Sequence, residues 1–109
     1  MDRRARALEV WIGLVGVLPL NDDTCIAGTK GAYVNALALV GTETEYHSVV
    51  ATALEEMGLF AFEFEDVERL SERMLRRSLT AEILERADDA RRSGEVTFGE
   101  FHTFDALDG

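Results

Sequence analysis

Residues 41–67 read GTETEYHSVVATALEEMGLFAFEFEDV, and this stretch decides the fold class, because it holds one helix and one strand with a sharp boundary between them. Thr42 followed by Glu45 has the form of a capping box, in which each side chain takes up a backbone N–H that a helix start leaves unpaired. Tyr46, Val49, Val50, Ala53, Leu54 and Met57 recur at steps of three and four, so they form one stripe for burial against a core. Gly58 supplies the left-handed residue that ends the helix. From Leu59 to Val67 the period changes to two. Phe60, Phe62 and Phe64 share one face and Glu63 and Glu65 the other, which predicts a half-exposed strand with three rings entering the core.

Upstream, Ala7 to Val17 alternates Leu8, Val10, Ile12 and Leu14 with Glu9, Trp11, Gly13 and Val15, leaving both faces mostly apolar, as in a strand inside a sheet. Pro19 ends it, and Asn21, Asp22, Asp23 and Thr24 with Gly28 and Gly31 read as a long loop. Ala32 to Val40 is a second strand. Its small residues Ala32, Ala36 and Ala38 leave room for a closely packed helix, while Tyr33, Leu37 and Leu39 fill the opposite face.

Downstream, Ser71 to Arg77 fits a loop or a helix, with Met74 and Leu75 its only apolar residues. Thr80 to Ser93 is a second main helix carrying Ile83, Leu84, Ala87 and Ala90 inward and ending at Gly94. Glu95 to Phe104 is a last strand, and Ala106 to Gly109 is expected to fray. The order strand, strand, helix, strand, helix, strand predicts an α+β domain. Its expected form is a four-stranded mixed sheet with two helices packed on one face and right-handed crossovers into the third and fourth strands.

With 109 residues the chain suits a single domain spanning residues 1–109. A 47% apolar and 29% charged composition is that of a globular protein. Cys25 is the only cysteine, which forbids an intramolecular disulfide and favours a reducing, cytoplasmic compartment. Arg3, Arg4 and Arg6 before the apolar run Val10 to Leu20 imitate a signal peptide. Glu9 interrupts the pattern and no small-residue cleavage site follows, so a buried strand is expected instead. The run is also too short to cross a bilayer. Ten Arg against one Lys, with abundant Ala, points to a bacterial genome of high GC content.

Charge is the most informative feature. The net charge is −10, and between Gly31 and Glu68 there is no Lys or Arg, while Glu43, Glu45, Glu55, Glu56, Glu63, Glu65, Asp66 and Glu68 all fall in that segment. Seven Arg follow between Arg69 and Arg92. Clustered carboxylates keep a small domain soluble, yet they also repel anionic ligands and steer cationic ones. Nucleic acid is a poor partner for such a surface and a basic protein a good one. Cation binding at Asp22 and Asp23 or at Glu63 and Glu65 is a further reading, but neither pair has the spacing of a calcium loop.

Catalytic signals are sparse. Glu100 and His102 lie two apart in the last strand, as acid–base chemistry would want, and in line with Val96 and Phe98. An irregularity at Gly99 resolves that conflict by sending Phe101 and Thr103 inward and Glu100, His102 and Phe104 outward. A small enzyme or ligand-binding protein using Glu100, His102 and Cys25 in a cleft is therefore the alternative to an interaction protein. His47 and His102 are isolated, so no metal site is expected, and no glycine-rich loop opens a helix to hold a cofactor. Trp11, beside Glu9, is a candidate anchor for a partner on an exposed sheet face. Self-association through an open sheet edge, giving a homodimer, is a third reading.

The short α+β layout, the carboxylate-rich central helix and strand, and the closing run Phe101, His102, Thr103, Phe104 together resemble small acidic immunity proteins that protect bacteria from polymorphic toxins. The resemblance implies a neutralising, non-catalytic partner protein. The expected docking face comprises Glu45, Glu55, Glu56, Glu63, Glu65, Asp66, Glu100 and His102, and it would occlude a basic surface such as the phosphate groove of a nuclease toxin.

Overall fold

A computed structural model describes residues 7–21, 24, 26 and 28–104. The elements run β1 (Glu9–Pro19), β2 (Gly31–Val40), α1 (Glu43–Glu56), β3 (Leu59–Arg69), α2 (Leu70–Met74), α3 (Ala81–Ser93), β4 (Thr97–Phe98) and β5 (His102–Phe104). The α+β class expected from the pattern is the class observed. Cys25, Asp22, Asp23, the N-terminal arginines and Ala106–Gly109 lie outside the described residues.

β1 sits at the centre of one sheet of order β3-β1-β2-β4, with β5 also pairing on β2. Every described pairing is antiparallel, where a mixed sheet was expected. The reason is that α1 carries the chain from β2 across β1 to the far edge. β2 and β3 therefore run parallel to one another with β1 hydrogen-bonded between them.

The two long helices lie on opposite faces, not on one. Trp11, Val15 and Val17 of β1 and Ala32, Val34, Ala36 and Ala38 of β2 face Tyr46, Val50 and Leu54 of α1. The intervening residues Val10, Ile12 and Leu37 meet Leu70 of α2 and Ala87 of α3 on the other side. This arrangement follows from β1 and β2 being apolar on both faces, since burying an aliphatic side chain contributes about 1.5–3 kcal/mol and neither face can be left fully wet. The alanines expected to admit a close helix do line the α1 side. Tyr46, fully buried, donates its hydroxyl to the Ala36 carbonyl at 2.7 Å, and its burial pushes the phenol pKa well up.

Local signals at the helix ends are realised. Thr42 Oγ1 accepts from the Glu45 N–H at 3.1 Å, and the Glu45 carboxylate accepts from the Gly41 N–H at 2.8 Å. Thr80 caps α3 through the Ile83 N–H, and Gly94 closes it with φ 75°. The ambiguous stretch after β3 begins with the single helical turn α2. The last strand is broken where Gly99 stands: Phe98 pairs with Ala36 on the α1 side, whereas His102 and Phe104 fall opposite Tyr33 and Gly31 on the other.

Candidate interaction surface

α3 and α2 cover only one end of their sheet face. The other end carries Leu18, Tyr33, Phe60, Phe62 and Phe104, with no helix over it. Phe60 is 48% exposed and Phe62 40%, against the expectation that three rings of β3 enter the core. Only Phe64 does so, stacking on His47 of α1 with ring centroids 4.4 Å apart.

Two irregularities in β3 cause the difference. The pairing with β1 slips between Gly16 and Val17 and again between Ile12 and Leu14, so β3 carries extra residues near Phe62 and Asp66. Asp66 takes φ 55°, the left-handed region that ordinary residues rarely enter. Each extra residue resets the alternation. Glu63 falls opposite Gly16 and Glu65 opposite Leu14, both on the face shared with Phe62 and Tyr33 and away from α1.

The rings are packed together by a glycine. A Cβ on Gly16 would lie 2.6 Å from Phe62 Cζ and 3.0 Å from Tyr33 Cε1, so the bare backbone is what lets these side chains meet above it. Tyr33 then stands edge-on to Phe62 at 6.0 Å and beside Phe104 at 5.6 Å. Its hydroxyl donates to Glu63 Oε1 at 3.1 Å, and this bond to a carboxylate, with burial, raises the Tyr33 pKa. The neighbouring Glu63 carboxyl raises the pKa of Glu65, first by hydrogen bonding and then by repulsion. When both are ionised, the two acids repel one another.

The later arginines do not quench them. Arg73, 8% exposed, donates to Glu68 at 2.7 Å and to the Asp66 carbonyl at 2.7 Å, and Arg76 binds the same Glu68 carboxylate. Their hydrogen bonds push the Glu68 pKa down to about 2. Arg69 bridges Glu9 and Glu72 while lying over the Trp11 ring. Arg86, Arg91 and Arg92 are paired with acids on α3 itself. No described Arg reaches Glu63 or Glu65.

The expected site residues thus separate into two groups. Glu63, Glu65 and exposed His102, which pairs across from Tyr33, share the uncovered sheet end. Glu45, Glu55 and Glu56 lie on α1 over the opposite face, so the single acidic surface expected from α1 and β3 together does not form. Glu45 is also engaged in its cap. Asp66 is exposed at the second irregularity and Glu100 is exposed in the gap between β4 and β5. Trp11, 7% exposed, belongs to the α1-side core and is no anchor. The residues that sequence missed are Tyr33, Phe60 and Phe62, whereas Phe104 was expected to point outward. Gly16 was their only local signal.

Neither Glu100 nor His102 lines any of the four described cavities. The largest, about 550 Å³, is an open groove between α1 and the Gly94–Phe98 segment, lined by Val49, Ala53, Met57, Val96 and Phe98 with Glu56 at its rim. Among the described residues no three His, Cys, Asp or Glu side chains gather to hold a metal ion, and no helix is long and apolar enough to cross a membrane. Comparison with protein-family models, with curated proteins and with solved structures found no match to this chain.

Proposed function

We propose that the chain is a protein-interaction module of the immunity or inhibitor type, which occludes a basic partner protein through the uncovered end of its sheet. One observation carries the reading: large aromatic side chains stand exposed beside two carboxylates that no described arginine neutralises. Exposed apolar patches rimmed by charge mark association sites. Aromatic anchors supply the energy of such contacts, and complementary charge supplies speed and selectivity. The negative rim disfavours phosphate backbones and anionic lipid surfaces, so neither nucleic acid nor membrane is the proposed target. Occlusion requires no reaction, and the proposed setting is a bacterial cytoplasm.

The alternative cleft built from Glu100 and His102 lacks a concave wall at either residue among the described cavities. The test is co-purification of the tagged protein from its native host, comparing wild type with Phe60→Ser/Phe62→Ser and with Glu63→Lys/Glu65→Lys. Retention of one basic protein by wild type and its loss from both variants is expected. Equal retention by all three would remove this face from the interface.

A further inference from the structure

A sheet face of this kind could be met by a second copy or by a different protein, and the charge decides between them. A second copy docking on the same face would add its own Glu63 and Glu65 to the same interface and double its negative charge. The free edge at β3 is interrupted by two register shifts and lined with acids, devices that hinder strand-to-strand pairing between copies. Both features favour a cationic occupant, and the side chains present discriminate between the two kinds of cationic residue.

Resting on the reading above, we propose that the group this face recognises is an arginine of the partner, stacked on the exposed Phe62 ring of the Tyr33–Phe62–Phe104 cluster with its guanidinium shared between Glu63 and Glu65. Residues two apart on one strand face stand roughly 7 Å apart, a span that the five fixed N–H donors of a guanidinium can bridge. A lysine ammonium is a compact charge that serves one carboxylate at a time and stacks poorly. The exposed Phe62 ring, edge-on to Tyr33, supplies an aromatic face on which a guanidinium stacks. Tyr33 acts as a positioning residue: its hydroxyl holds one oxygen of Glu63 at 3.1 Å and so fixes that carboxylate beside the rings. Arg73 and Arg76 cannot substitute from within the chain, because Glu68 and the Asp66 carbonyl hold Arg73 and Glu68 holds Arg76. A partner's cation between Glu63 and Glu65 would relieve their mutual repulsion.

The test uses the full chain and short peptides of three kinds: an Arg-Gly repeat, a Lys-Gly repeat of equal charge and an uncharged citrulline-Gly repeat, each titrated by NMR. The Arg peptide should shift Tyr33, Phe62, Phe104, Glu63 and Glu65 and bind about tenfold more tightly than the Lys peptide, a difference of about 1.4 kcal/mol. The citrulline peptide should not bind. Glu63→Gln/Glu65→Gln and Phe62→Leu should each abolish the preference while leaving the spectrum elsewhere unchanged. Equal binding of Arg and Lys peptides at these residues would overturn the arginine assignment and leave the docking face standing. Shifts gathered on Glu55 and Glu56 of α1, or none at all, would overturn both.

Discussion

Replacing Gly16 by Ala separates the stability of this domain from the integrity of its aromatic face. The added Cβ would fall 2.6 Å from Phe62 Cζ and 3.0 Å from Tyr33 Cε1, so something must move. Both atoms belong to side-chain rings, and Phe62 is already 40% exposed, so its ring swings into solvent while the backbone stays. Ala in place of Gly in a strand returns about 0.5–1 kcal/mol of backbone entropy. Losing the edge-on contact between Phe62 and Tyr33 removes about 0.5–1.5 kcal/mol. The two nearly cancel, and unfolding in urea should shift by less than about 1 kcal/mol with an unchanged slope. Partner affinity should fall about tenfold, because the displaced ring no longer presents its anchor. A stability loss above about 3 kcal/mol would mean that Phe62 is fixed like a core residue. Unchanged affinity would mean that the ring cluster does not touch the partner.

Other outcomes follow from the same geometry. Tyr46→Phe leaves the buried Ala36 carbonyl without its hydroxyl donor and should cost about 1 kcal/mol, a fall of roughly 4–8 °C in Tm; an unchanged Tm would show that the bond contributes nothing. Glu68, whose pKa is depressed to about 2, stabilises the fold fully above the ordinary carboxylate range, and this contribution is lost as pH falls from 4.5 towards about 2. Glu68→Gln should flatten the acid limb of stability in that window, measured by urea unfolding across pH, and an identical limb would refute the clamp by Arg73 and Arg76. Glu65 has the opposite sign: its pKa is raised in the folded state, so its charging removes stability as pH rises through that titration. Glu65→Gln should therefore raise Tm at neutral pH, and a fall would show that the carboxylate supports the fold.

The elements whose signals are local were legible in the chain. The capping box at Thr42 and Glu45, the stop at Gly58 and the break at Gly99 each depend on residues a few positions apart, and each is present. Of the stripe from Tyr46 to Met57, only Tyr46, Val50 and Leu54 are buried, and Val49 and Met57 are exposed. What escaped was set by partners distant in sequence. Strand order depends on which edge β3 reaches after α1, and no residue within β3 encodes that choice. The apolar residues on both faces of β1 did contain the information that helices would be needed on two sides, since Ile12 and Val15 cannot be buried by one layer. The regular alternation of Phe60, Phe62 and Phe64 was misleading because the slips opposite Gly16 and Gly13 arise only from pairing with β1. The slip at Gly16 puts Phe62 and both glutamates on one face, and so creates the surface that the sequence had distributed over two.

Site-specific photo-crosslinking in the native host tests the docking face most directly, with the photoreactive residue placed at position 62, at position 55 on α1, or at position 57 in the groove. One conjugate, with a basic protein, should form from position 62 and be absent from the other two. Conjugation from 55 or 57 with none from 62 would place the partner on the α1 side and contradict the docking face.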